Sequence, residues 1–166
     1  MVEDHEDARR YYKRAKEGYV EQLGSDSEKA LEVTRSLLAA TGMSRGEKIE
    51  QYRVLVGRMV RALGEENVVT LKTLSQLGTW LADNGEYEEA RKFFERCLEG
   101  RERVQGVDHI ITLGTVNNLG ILHCKLKNWE KALEYYERAL KGQEKTLGKT
   151  HPSTLTTVKN IANTYV

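Results

Sequence analysis

Residues 105–140 read QGVDHIITLGTVNNLGILHCKLKNWEKALEYYERAL, and the same pattern stands 42 residues earlier and begins again 42 residues later. The turn Gln105-Gly106 matches Leu63-Gly64 and Leu147-Gly148. Behind it, Thr112-Leu113 matches Thr70-Leu71 and Thr154-Leu155, and Leu119-Gly120 matches Leu77-Gly78 and Ile161-Ala162. Ala132, Tyr136 and Glu137-Arg138 repeat Ala90, Phe94 and Glu95-Arg96. A fixed period of this length marks a stacked array, in which each unit buries its apolar face against its neighbours. Arrays of this kind seldom do chemistry; they present long surfaces to other proteins.

Within each unit the apolar spacing is helical. Residues 67–83 place Val68, Leu71, Leu74, Leu77 and Leu81 on one stripe, and Asp83-Asn84-Gly85 ends that helix, with Gly85 suited to a left-handed residue. Residues 86–103 then turn Tyr87, Ala90, Phe94, Cys97 and Leu98 inward. The pair recurs as 109–126 and 129–146, and a last helix opens near Pro152, which needs no amide partner in a first turn.

Upstream the pattern loosens. Residues 4–22 read as a second helix, with Ala8, Tyr12 and Ala15 where Ala90, Phe94 and Cys97 stand, so a Tyr12 ring in the core is expected. Residues 27–41 follow at an offset of 40, and Ser44-Arg45-Gly46-Glu47 is a capping box that opens a helix over 45–62. Leu38 stands where Gly78 stands and Lys48 where Ala90 stands, which predicts looser or angled packing of this pair. The expected division of one array over 1–166 is 4–22, 23–62, 63–104, 105–146 and 147–166. An array that opens on a second helix and stops within a first, with Ile161 and Tyr165 still on an apolar stripe, predicts a piece of a longer array or ends that stack on another copy.

Composition narrows the partners. Charged residues make up 31% of the 166, above the roughly 25% usual in globular chains, as wide solvated helix faces require. The balance of 26 basic and 25 acidic residues leaves a net charge of +1, too little for a global field that would draw in nucleic acid or an anionic membrane. No apolar run reaches the ~18 residues of a membrane span, and the acidic start Met1-Val2-Glu3-Asp4-His5-Glu6 is no signal peptide. Cys97 and Cys124 fall within helical patterns and are read as thiols in a reducing compartment, so a cytoplasmic location is expected.

Each unit carries apolar-x-x-Leu-Gly on its first helix, then Tyr/Trp-x-x-Ala-x-x-x-Phe/Tyr-x-x-Cys/Ala-Leu on its second. This resembles the tetratricopeptide repeat. The loops Gly106-Val107-Asp108-His109-Ile110-Ile111-Thr112-Leu113 and Gly148-Lys149-Thr150-His151-Pro152-Ser153-Thr154-Leu155 are similar to the 42-residue repeats of kinesin light chains, whereas the ordinary repeat has about 34 residues. The likeness is strong over 63–166 and weak over 1–62. It implies an all-α fold, a right-handed superhelical solenoid of antiparallel helix pairs with about eight helices, acting as a protein-interaction scaffold or adaptor rather than an enzyme. It further implies that first helices line a concave groove. That places Ser75, Gln76, Thr79, Asn117, Asn118, Ile121, Lys159, Asn160 and Asn163 toward the groove, with Lys72, Lys125 and Arg35 along it. Gln76, Asn118 and Asn160 would form a ladder of amides able to pair with an extended peptide backbone, the alternative being that they only hydrogen-bond neighbouring helices or water, and the cations would add a preference for acidic residues or a terminal carboxylate. The expected partner is a protein or peptide, with self-association through the terminal helices as the competing reading.

Chemistry that the sequence could tempt one to assign finds no support. Gly148-Lys149-Thr150 follows a helix and has Gln143 where a phosphate loop needs glycine. His109 and His151 sit one repeat apart and are expected to cap helices rather than to hold a metal. His123 and Cys124 are helix neighbours that point in different directions, so His123 is read as a packing residue. The basic stretch Arg9-Arg10-Tyr11-Tyr12-Lys13-Arg14 is read as a helix surface rather than a nucleic-acid site. No cofactor, metal or catalytic residue is expected.

Overall fold

Six of the helices start where a side chain accepts from a free amide of the first turn, while the helix that begins at Tyr87 has no such bond. In the computed structural model, which describes residues 2–165 with side chains from residue 6 onward, Ser27 accepts from the Ala30 amide and opens α2 (Glu28–Ala40). Ser44 and Glu47 form the expected reciprocal capping box at the head of α3 (Arg45–Leu63), with Ser44 N 2.8 Å from Glu47 Oε2. The Nδ1 atoms of His109 and His151 accept from the Ile111 and Ser153 amides, opening α6 (Ile110–Lys125) and α8 (Pro152–Thr164). Asn67, one repeat before His109, does the same for the Val69 amide. The histidines are therefore caps, as their place in the repeat indicated. The remaining helices are α1 (Val2–Leu23), α4 (Val68–Asp83), α5 (Tyr87–Gln105) and α7 (Trp129–Leu147). Among the described residues there are eight helices and no strand. Met1 and Val166, the ends of the expected array, lie outside them.

The turn inside each pair needs a left-handed residue. Gly85 supplies it after α4 at φ 86°, and one repeat later Lys127 takes the same conformation at φ 57°. A side chain there costs about 1 kcal/mol that glycine avoids. Lys127→Gly is therefore expected to raise stability by about 0.5–1 kcal/mol in a denaturation curve, since Lys127 is exposed and its side chain covers no core.

The chain divides into two compact units, Met1–Trp80 and Leu81–Val166. In the first, Leu31, Tyr52, Met59, Leu71, Leu74 and Leu77 are almost wholly buried. Lys48, at the position where other repeats carry alanine, keeps its ammonium 4.9 Å from the Trp80 ring centroid, so cation–π attraction replaces the close alanine contact. Arg58 clamps the α1–α2 turn onto α3 through Asp26 at 2.7 Å and the Ser25 carbonyl at 2.9 Å. Tyr12 corrects the sequence expectation: it is 37% exposed, whereas Phe94 is 3% exposed. α1 packs along α2, and the Tyr12 face of α1 stays open to solvent.

In the second unit the core is Leu81, Ala90, Phe94, Cys97, Leu113, Val116, Leu119, Leu122, Ala132, Tyr136 and Ala139. The antiparallel helices α6 and α7 meet at two glycines. A Cβ on Gly120 would lie 2.5 Å from Tyr136 Cε1, and one on Gly142 would lie 2.5 Å from Leu113 Cδ2. Each glycine is thus the space that the other helix's large side chain fills. The Cys97 thiol is buried and that of Cys124 half-buried, and neither forms a disulfide.

Candidate functional site

Three pairs of residues repeat with the 42-residue period and join each second helix to the first helix that follows it. Met59, Arg101 and Gln143 stand on α3, α5 and α7, and Thr73, Thr115 and Thr157 on α4, α6 and α8. The Thr73 hydroxyl lies 3.1 Å from Met59 Sδ. Arg101 Nη1 donates to Thr115 Oγ1 at 2.5 Å and to the Ile111 carbonyl at 3.2 Å. The Thr157 hydroxyl donates to Gln143 Oε1 at 2.7 Å. One position thus carries an apolar, a cationic and an amide side chain in turn.

Arg101 is the unusual member. It is 7% exposed, and no carboxylate lies within ion-pair distance among the described residues. Burial lowers its pKa from the ordinary arginine value, opposed by Cys97. Arg101 borders a cleft of about 380 Å³ along the faces of α6 and α8, lined also by Asn117, Asn118, Gln143, Ser153 and Thr157, with no acidic side chain in its walls.

Two of the expected groove residues, Asn117 and Asn118, line this cleft. Asn160 lies beside it and donates to Asn117 Oδ1 at 3.2 Å, so that its amide serves an internal bond. Asn117 is a joint between α6 and α8, while the Asn118 amide is half-buried with no hydrogen bond within the described residues. Ile121, Lys125, Lys159 and Asn163 are exposed on the same two helices outside the cleft lining. In the first unit, Ser75 and Gln76 are half-buried on α4, Thr79 donates to the Ser75 carbonyl at 3.1 Å, and Lys72 is exposed. Arg35 is half-buried on α2, where its carbonyl accepts from the Tyr52 hydroxyl at 3.3 Å.

Sequence reasoning missed Arg101, Gln143 and Thr157. They lie on faces that helical periodicity assigns to packing. The available signal was the register itself: a position occupied by Met59 in one repeat holds arginine in the next.

A second, larger cleft of about 620 Å³ lies between α5 and α7, walled by Glu88, Arg91, Glu95, Lys131, Tyr135 and Arg138. Its charges are mixed, and Arg91 is already held by Glu88 and Glu95 at 3.0 and 2.8 Å. His123 borders it, 5% exposed and stacked on Tyr135 with ring centroids 5.3 Å apart, which is the packing role expected of it. Its Nδ1 is buried without a partner. Burial lowers its pKa, with Lys131 and Arg91 acting in the same sense and Glu95 and Glu88 against it. A histidine with a lowered folded pKa is protonated first in the unfolded chain. Its contribution to stability is complete above the ordinary value of 6.5 and is lost as the pH falls below it. Melting temperature is expected to fall between about pH 7 and about pH 5, and His123→Leu, which copies Leu81 one repeat earlier, should flatten that slope.

Two family models, both described as tetratricopeptide repeat, match residues 70–111 and 112–166, together more than half of the chain. The chain belongs to the tetratricopeptide repeat family. Solved structures carry the likeness across its length. A Podosopora anserina protein assigned as a kinesin light chain with nearly identical TPR-like repeats, in a form carrying one substitution, aligns with TM-score 0.78 and 22% identity over 99% of this chain and 84% of that one. The same protein without that change gives 0.76 and 22% over the same shares. BtubC (BKLC) from P. vanneervenii aligns with TM-score 0.88 and 20% identity over 98% of this chain and 65% of that one. At these identities the likeness shows the fold, an all-α superhelical repeat. No curated protein matches. Tetratricopeptide repeats are in general protein-interaction scaffolds, and the two family matches support that class for this chain. No helix among the described residues is long and apolar enough to cross a membrane.

Proposed function

We propose that this tetratricopeptide array is a non-enzymatic scaffold or adaptor in the cytoplasm, whose first-helix face holds an extended segment of a partner protein. The observation that carries this reading is the cleft on α6 and α8, walled by neutral polar side chains, by Ile110, Ile111 and Gly114, and by the cation Arg101. Asn118 brings both a donor and an acceptor to it, so it can pair with either polar group of a peptide bond. The expected groove of Arg35, Lys72, Ser75, Gln76, Thr79, Ile121, Lys125, Lys159, Asn160 and Asn163 remains part of the proposal, as do the repeat boundaries. Within it Asn117 and Asn160 shape the wall, and Asn118 faces the ligand. Asn118→Ala should weaken binding of a fluorescent peptide from the partner about three- to tenfold, at unchanged helicity by circular dichroism. Equal affinity for both forms would remove the cleft from the binding surface.

A second reading rests on α8. Leu155 is 53% and Val158 44% exposed, whereas Leu113 and Val116, their counterparts on α6, are 1% and 0% exposed because α7 covers them. Self-association through this face would bury the stripe. Sedimentation over a concentration series separates the readings: a molecular mass that rises with concentration favours self-association, and a constant one favours the scaffold acting alone.

A further inference from the structure

We propose that the cleft between α5 and α7 is an oxyanion site, where His123, Asn128 and Lys131 hold the phosphate group of a ligand. This site is separate from the α6–α8 groove and does not depend on it. His123 forms part of the cleft lining and is 5% exposed. Its Nδ1 is buried without a partner, and no side-chain hydrogen bond within the described residues fixes which ring nitrogen carries the proton. A buried polar group in that state is costly unless a ligand or water completes it. Turning the ring over about its Cβ–Cγ bond keeps the stack on Tyr135 and breaks no hydrogen bond, so either nitrogen can be offered to the cleft.

Most of the unspent hydrogen-bonding capacity around this ring is donor. Asn128 Oδ1 accepts from the Lys131 amide at 3.3 Å, which leaves the Asn128 NH2 group to donate. The Lys131 ammonium and the Tyr135 hydroxyl have no hydrogen bond or ion pair among the described residues. The acids, by contrast, are mostly taken. Glu88 and Glu95 grip Arg91 at 3.0 and 2.8 Å, and Arg138 pairs with Glu102. Glu134 remains; it is exposed, and of the charges around Tyr135 it acts most weakly. At the imidazole Lys131 and Arg91 act more strongly than Glu95 and Glu88, so the field at the cleft floor is positive. Asn128 also caps α7, whose first-turn amides carry the positive end of the helix dipole. Donors that come from α6, from the α6–α7 turn and from α7 suit the three acceptor oxygens of a tetrahedral phosphate better than a planar carboxylate.

Lys131 is exposed in the first turn of α7, so Lys131→Gln should fold. His123→Leu should fold as well, since Leu81 is its counterpart one repeat earlier. The probes are inorganic phosphate, a blocked hexapeptide pool with one phosphoserine, and the same pool with serine. Nuclear magnetic resonance signals of the His123 ring and the Asn128 side-chain amide report binding. Both phosphate-bearing probes should move these signals to saturation, and the serine pool should move neither. Lys131→Gln should weaken phosphate binding about tenfold, and Asn118→Ala, in the other cleft, should leave it unchanged. Tighter binding of the phosphoserine pool identifies a phosphorylated partner segment. Inorganic phosphate binding as tightly or more tightly identifies a small phosphate-bearing molecule; either supports the proposal. Sulfate, doubly charged throughout, isolates the role of His123. Its binding should tighten as the pH falls from about 7 to about 5, because the imidazolium adds a charge and a second donor, and His123→Leu should remove that slope. Absence of saturable shifts, or equal phosphate affinity in Lys131→Gln, overturns the proposal. A sulfate slope that survives His123→Leu overturns the part given to the imidazole.

Discussion

Gly120→Ala will destabilise the second unit by about 1–3 kcal/mol, the usual cost of forcing an extra carbon into a packed core. The added Cβ would stand 2.5 and 2.6 Å from two ring carbons of Tyr136, and 3.1 Å from a third. The ring cannot step aside. Tyr136 is 2% exposed and its hydroxyl lies 3.6 Å from Cys124 Sγ, and burial with that contact raises its pKa. The clash must be absorbed by separating α6 from α7. Thermal or urea denaturation reads the loss, and amide exchange should localise it to these two helices. Combining Gly120→Ala with Tyr136→Leu should recover part of it, a coupling that two independent defects would not show.

Gly142→Ala should cost a similar amount, about 1–3 kcal/mol, at the other end of the same helix pair. Its Cβ would meet Leu113 Cδ2 at 2.5 Å and Cδ1 at 2.8 Å. Leu113 is a side chain with rotamers to spare, but it is 1% exposed and has no empty space to rotate into. Paired with Leu113→Ala the alanine should be tolerated better than in the native background. Alanine is the better helix former by about 1 kcal/mol, so a neutral or stabilising outcome would mean that α6 and α7 do not approach as closely as described.

The fold was legible because periodicity survives in the residues that packing constrains most. Leu71, Leu113, Ala90, Ala132, Phe94 and Tyr136 are buried where the 42-residue register put them, and the caps at Ser44, His109 and His151 could be read from local chemistry. Tyr12 was misread because register assigns a residue to a face without saying whether a neighbour covers that face. Gly142 escaped notice for the opposite reason: its counterpart Gly100 also lies on a second helix, where a glycine looks like a weak helix former rather than a contact.

The candidate site was less legible. Counting positions from Leu119 and Ile161 selects Asn118 and Asn160 as equivalents, yet the structure engages Asn160 with Asn117 and leaves Asn118 free. Equivalent places in a repeat share backbone geometry, while hydrogen bonding depends on which side chains neighbouring helices happen to offer. The cations expected along the groove, such as Lys125 and Lys159, are exposed and screened by water, whereas Arg101 is desolvated. Burial is a property that sequence alone does not display.

The most direct measurement is a nuclear magnetic resonance titration of the isotope-labelled chain with a degenerate pool of extended hexapeptides. The side-chain signals of Asn117, Asn118 and Gln143 should move together and saturate at one concentration, with the cleft around Arg91 and His123 unaffected. Shifts confined to the exposed lysines, or centred on the cleft between α5 and α7, would contradict a peptide-holding groove on the first-helix face.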